Sequence, residues 1–139
     1  MLTYRLLHPE ILRALSEAGH GARVLIADGN YPLATRSNPA VRRVFLNLAP
    51  DRLRVTEVLD VLAEAIPVEA AHVMIPDAGD EPSIFREFRA LLPGIELERL
   101  ERFAFYDAGR GPDVALAIAT GERRIYANIL LTIGVVLPA

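Results

Sequence analysis

A chain of 139 residues with 52% hydrophobic content is long enough for one compact domain with its own core, and no second domain is needed. The formal net charge is −3, and no basic cluster exceeds the pairs Arg42-Arg43 and Arg123-Arg124, which argues against a nucleic-acid or anionic-membrane partner. There is no cysteine and all 15 basic residues are arginine, so disulfides, thiolate nucleophiles, Cys-ligated metals, Schiff-base lysines and a phosphate-loop lysine are excluded.

Met1 to Leu7 carries Arg5 as its only charge and no long apolar region, unlike a secretory leader, and a cytoplasmic location is expected. Apolar residues at Ile11, Leu12, Leu15 and Ala18, behind Pro9 and before Gly19, predict a first helix. Ala22 to Ala27 reads as a buried strand, followed by the longest loop, Asp28 to Pro39, rich in Gly, Asn, Pro and Ser. A loop of that length at the end of a strand is a natural place for a ligand. Val44 to Leu48 predicts a second strand. Val55, Val58, Leu59, Leu62 and Ile66 predict a second helix, stopped by Pro67. Ala71 to Ile75 is a third strand, and Asp77 to Pro82 a short loop. A third helix is expected from Pro82 to Leu92, with Ile84, Phe85, Phe88 and Leu91 on one side and Pro93-Gly94 ending it. Ile95 to Leu100 and Val114 to Ala119 are further strands. The alternation points to the α/β class: a single three-layer α/β/α domain over residues 1–139 with a mostly parallel or mixed sheet. The last apolar run, Ile125 to Ala139, is interrupted by Asn128, Thr132, Gly134 and Pro138 and is too short to span a membrane. Within it, Ile129 to Leu137 is more apolar than a small monomer requires and reads as interface.

Tyr126 and Asn128 set two uncharged polar side chains into that run. Two residues apart, they would share one face of an extended chain, offering donors and acceptors suited to a sugar hydroxyl; the same pair could equally serve neighbouring backbone. His20 lies between two glycines just past a helix end, where the helix dipole favours the charged imidazole, fitting a group that gives and takes protons; a helix cap is the alternative. His8, before Pro9, and His72, inside an apolar strand, read as structural, and no histidine pair has metal-ligand spacing, so no metal is expected. Asp28 is either a charged acceptor for a hydroxyl or a cap for its own Asp-Gly-Asn turn. Arg102 and Tyr106, four apart, share one side of either a helix or a strand.

The Gly19-His20-Gly21 turn, Asp28 with Pro32 four residues after it, the segment Arg102-Phe103-Ala104-Phe105-Tyr106 and the ending Gly121-Glu122-Arg123 through Tyr126-Ala127-Asn128-Ile129-Leu130-Leu131 together resemble the family of D-ribose pyranases and L-fucose mutarotases. The resemblance runs in the same order over nearly the whole chain. It implies that family's fold and a cofactor-independent interconversion of the anomers, or pyranose and furanose forms, of a free monosaccharide. By resemblance His20 is the proton donor, Asp28 binds the sugar, and Arg102, Tyr106, Tyr126, Ala127 and Asn128 complete the pocket. It also implies a homo-oligomer, pentameric rings stacked into decamers. Tyr106 stands where ribose-type members have histidine, and Arg-Phe-Ala-Phe-Tyr is the fucose-type pattern, so L-fucose or a similar 6-deoxyhexose is expected; the Asp28 to Pro39 loop departs from both subgroups. A non-catalytic sugar-binding transport accessory and a scaffold domain are the competing readings.

One expectation comes from geometry. His20 and Asp28 flank Ala22 to Ala27, and six extended residues span about 20 Å. Unless the strand is short or bent, the two residues can share a pocket only across subunits.

Overall fold

The computed structural model describes residues 1–139. Helix α1 (Pro9–Glu17) begins behind His8, whose Nδ1 accepts from the Ile11 N–H at 3.4 Å, so this histidine is a cap. Strands β1 (Arg23–Ala27) and β2 (Arg42–Phe45), helix α2 (Val55–Ala65), strand β3 (Val68–Ile75), helix α3 (Ile84–Leu91), strand β4 (Leu97–Glu101), helix α4 (Arg102–Gly109) and strands β5 (Val114–Ala119) and β6 (Ile129–Ile133) follow in order. The strands form one six-stranded sheet of order β2-β5-β1-β6-β3-β4. β6 runs antiparallel to its neighbours β1 and β3, and every other pairing is parallel.

Side chains alternate across the sheet and sort the helices into two layers. On one face Val24, Ile26, Leu116, Ile118 and Leu131 meet Ile11 of α1, Leu59 and Leu62 of α2 and Phe85 and Phe88 of α3. On the other face Leu25, Ala27, Ala117, Ala119 and Leu130 meet Phe105 and Tyr106 of α4 together with Tyr31 and Leu33 of the β1–β2 loop. The expected three-layer α/β/α arrangement with a mixed sheet is therefore present.

Two elements were not expected. α4 follows β4 without a linker, because Glu101 closes the strand and caps the helix, its carboxylate accepting from the N–H groups of Phe103 at 3.1 Å and Ala104 at 2.6 Å. β6 is buried along its whole length in the middle of the sheet. Covered on both faces, such a strand is continuously apolar and shows no alternation. Ile129 to Ile133 is thus core and not the surface that its composition suggested, whereas Val136 and Leu137 beyond it are each 78% exposed.

This topology fixes two opposite edges. The C-terminal ends of β1, β3, β4 and β5 lie together where β6 enters the sheet. At the other edge β6 leaves beside the α1–β1 loop, and the Gly21 N–H donates to the Ile133 carbonyl at 2.9 Å. No helix is long and apolar enough to cross a membrane.

Candidate functional site

Where β1 ends and β6 begins, Asp28 and Asn128 are locked together. The Asn128 Oδ1 accepts from the Asp28 backbone N–H at 2.7 Å, and the Asn128 Nδ2 donates to Asp28 Oδ2 at 3.1 Å. The other carboxylate oxygen, Oδ1, accepts from the Asn30 N–H at 2.9 Å. Asp28 and Asn128 are both only 3% exposed. Burial pushes the Asp28 carboxyl above the ordinary carboxylate range, outweighing the hydrogen bonds from Asn30, Asn128, Tyr31 and Ala127 that favour its charged form.

The carboxylate forms one wall of a cleft of about 280 Å³ lined by Asp28, Asn30, Tyr31, Met74, Arg102, Tyr106, Ile125, Tyr126 and Asn128. That volume lies just below the range of drug-sized small-molecule sites, roughly 300 to 1,000 Å³. α4 supplies the cationic wall: the Arg102 Nε donates to the Tyr106 hydroxyl at 3.2 Å, and the Arg102 guanidinium carbon lies 5.5 Å from the Tyr106 ring centroid. Their four-residue spacing acts here as one helical turn. Arg36, from the long loop, approaches the same ring at 5.6 Å. Tyr31 meets Tyr106 edge to face at 5.3 Å, which sets the tyrosine against the core. The set combines a fixed carboxylate, a carboxamide, a guanidinium and phenols with apolar patches from Met74 and Ile125, suited to a small polyol with an apolar face.

Tyr126 and Asn128 both line the cleft, for a different reason than period-two alternation. The chain turns at Tyr126, which has a left-handed φ of 60°, and becomes a strand only at Ile129. Tyr126 and Ile125 are thereby aimed at the cleft from a turn, while Ala127 is fully buried behind them. Glu122 braces this turn: its carboxylate is buried and accepts from Arg124 Nε at 2.9 Å and Nη2 at 3.0 Å, and Arg124 Nη1 reaches Glu87 of α3. Burial pushes the Glu122 carboxyl up, but the Arg124 hydrogen bonds and charge win and hold it below its usual range. Arg124 is therefore half-buried and structural, unlike its neighbour Arg123, whose side chain is 72% exposed.

His20 is not in this cleft. It lies in the α1–β1 loop, beyond the five strand residues of β1, and its side chain is 58% exposed with Nε2 placed 3.0 Å from Glu69 Oε2. It does not cap α1, whose last turn is closed by the Ala18 N–H donating to the Ala14 carbonyl. His72 pairs with Glu98 at 2.7 Å on the sheet, as a structural residue. Of the expected site residues, Asp28, Arg102, Tyr106, Tyr126 and Asn128 converge, Ala127 supports them, and His20 stands apart. Asn30, Tyr31, Met74 and Ile125 were not expected. Asn30 and Tyr31 belong to the long Asp28 to Pro39 loop, and Met74 is the next-to-last residue of β3, at the same edge of the sheet where Asp28 follows β1. Nothing in the sequence around Ile125 points to its place. No group of three His, Asp or Glu side chains is arranged to hold a metal ion.

The chain matches the model of the RbsD / FucU transport protein family over residues 1–136. Its fold is similar to that of RbsD from Bacillus subtilis, solved in complex with D-ribose, with a TM-score of 0.85, 26% identity, and 99% of this chain and 100% of that one covered. The fucose mutarotase of Streptococcus pneumoniae, solved with L-fucose, matches with a TM-score of 0.81 and 27% identity over 99% of this chain and 100% of that one. FucU from Bifidobacterium longum is 30% identical, with a TM-score of 0.78 and coverage of 94% of this chain and 95% of that one.

Proposed function

Since the chain belongs to the RbsD / FucU family, we propose that it is an isomerase-type enzyme, a mutarotase or pyranase that opens and recloses the ring of a free monosaccharide. The observation that carries this reading is the buried Asp28 carboxylate, held by Asn128 and facing Arg102, Tyr106 and Tyr126 across a cleft of monosaccharide scale. In the proposed reaction His20 gives a proton to the ring oxygen, which takes the electron pair of the breaking C–O bond. The anomeric hydroxyl gives its proton to Asp28 as its O–H pair becomes the second bond of the carbonyl. Rotation of the carbonyl and reversal of both transfers yields the other anomer, with no net redox change. The raised proton affinity of Asp28 suits it to accept that proton.

His20 and Asp28 stand at opposite ends of β1, about 17 Å of strand apart. The reading therefore includes a homo-oligomer, in rings of the kind the family resemblance implies, with each site made from the Asp28 cleft of one copy and the His20 of another. The exposed Phe45, Leu48, Val136 and Leu137 provide apolar surface for such contacts.

As substrate we propose L-fucose or a similar 6-deoxyhexose. The Tyr106 ring and Met74 offer an apolar wall to a methyl group. An apolar contact of that size discriminates by roughly 10–200-fold, so D-ribose should also turn over, and Tyr106→His should narrow the gap. A Tyr106→His variant with an unchanged fucose-to-ribose ratio would move specificity to the Asn30–Pro39 loop.

Saturation-transfer NMR of anomeric protons across free L-fucose, D-ribose, D-galactose and D-glucose tests the activity. At least one sugar should exchange faster than in buffer, and equality with the buffer rate for all four overturns the enzyme reading. The remoteness of His20 from the cleft within one chain favours a second reading, a sugar-binding accessory. Such a protein would bind sugar as well after His20→Ala as before, whereas the enzyme loses turnover.

A further inference from the structure

Resting on the reading that His20 moves the proton, we propose that Glu69 is a positioning residue that holds His20 in the Nε2–H form and leaves Nδ1 to face the sugar. The His20 Nε2 lies 3.0 Å from Oε2 and 3.2 Å from Oε1 of Glu69. An ionised carboxylate only accepts hydrogen bonds, so Nε2 carries a hydrogen whether the ring is neutral or charged. Nδ1 is then the nitrogen whose proton is given to the ring oxygen and taken back.

The pair is held from behind. The end of β6 ties down both partners: the Gly21 N–H donates to the Ile133 carbonyl at 2.9 Å, next to His20, and the Gly134 N–H donates to the Pro67 carbonyl at 2.7 Å, just before Glu69. Glu69 itself lies against Gly134, where a Cβ would meet the Glu69 Cβ at 3.2 Å and Oε2 at 3.4 Å. The glycine thus keeps room for the carboxylate in the position that meets His20. With side chains 58% and 45% exposed, this contact adds little to the stability of the chain. Its effect is to choose which ring nitrogen is free. A third residue that orients an imidazole in this way is how acid–base histidines are generally set for their task.

The test compares wild type with Glu69→Gln and Glu69→Ala in the full chain. ¹⁵N correlation spectra of the His20 ring should show the Nε2–H tautomer in wild type and a shift toward a tautomer mixture in Glu69→Ala. For the fastest-exchanging sugar, both variants should lower kcat on the order of 10–100-fold, the cost typical of losing the orienting partner of a metal-bound histidine, with KM within threefold and an unchanged elution volume. An Nδ1–H tautomer in wild type overturns the proposal, as does wild-type kcat in both variants. The spectroscopic arm needs no turnover. If no sugar is exchanged by wild type, the enzyme reading falls, and the tautomer alone decides whether Glu69 orients His20.

Discussion

Asp28, at the C-terminal end of β1, is 3% exposed and bonded to Asn30 and Asn128, whereas the His20 side chain, at the other end of the same strand, is 58% exposed and touches Glu69 across an open surface. The Asp28 end is finished within one chain: a loop, a helix and a turn close around it, and its polar groups are fixed before any ligand arrives. The His20 end is unfinished, with a single partner and room in front of it. A binding wall needs geometry fixed in advance, and a proton donor needs access to what it protonates. Under the proposed roles of Asp28 and His20 the two needs fall at different ends of one strand, and the proposed two-chain site would bring them together.

The two ends of β1 are separated most directly in mixed oligomers. His20→Ala and Asp28→Asn should each lower anomer exchange on the order of 10²–10⁴-fold, as expected for loss of an acid–base group. Oligomers verified to contain both kinds of chain should regain activity, because some sites then pair an intact His20 with an intact Asp28. Mixed oligomers as inactive as either parent would place the site within one chain.

Next in size is the brace behind the cleft. Glu122→Ala removes a buried carboxylate from Arg124, which keeps Glu87 as a partner, so the loss should fall near the low end for a broken buried pair, about 3 kcal/mol by urea unfolding. Glu69→Ala, at the open end, should stay within about 0.5 kcal/mol of wild type by the same measurement. Equal losses would erase the contrast between the two ends.

Glycine substitutions sharpen the contrast on a smaller scale. A Cβ on Gly109 would lie 2.5 Å from the Tyr31 hydroxyl, so Gly109→Ala must displace a residue of the cleft and should cost about 1–3 kcal/mol. A Cβ on Gly19, beside His20, meets nothing within 4 Å, and Gly19→Ala should be nearly neutral in thermal unfolding.

The smallest expected effect is on pH dependence. The Asp28 carboxyl binds its proton more tightly in the folded than in the unfolded chain, so the stability it contributes is fully present below the unfolded value, about 3.9, and is lost as pH rises through the higher folded value. Urea unfolding between pH 3 and 7 should therefore show wild type falling relative to Asp28→Asn as pH increases. A difference independent of pH, or of opposite slope, would mean that burial does not dominate at Asp28.

The layers of the fold were readable because the apolar residues of α1, α2 and α3 repeat at helical spacing and the strands between them are short and apolar. β6 was hidden because a strand covered on both faces has no alternation, and α4 because its eight residues begin directly on the capping Glu101. In the site, Asp28, Arg102, Tyr106, Tyr126 and Asn128 were named from local chemistry and family resemblance and do converge. Met74 and Ile125 were not, since an apolar residue lining a cleft looks in sequence like any core residue. The strand-face argument placed Tyr126 and Asn128 together, and they do line one cleft, but by a different geometry, because a non-glycine residue with positive φ leaves no mark in the pattern of apolar residues.

The five-residue length of β1 has a consequence for stoichiometry. A chain that carries one half of a site at each end behaves like a link with two unlike couplings, and an open row of such links always leaves one coupling of each kind unmatched. Only a closed assembly uses every half. Under the proposed two-chain site, activity per chain should then climb with protein concentration until closure is complete and stay flat thereafter, so dilution would switch the enzyme off without unfolding it.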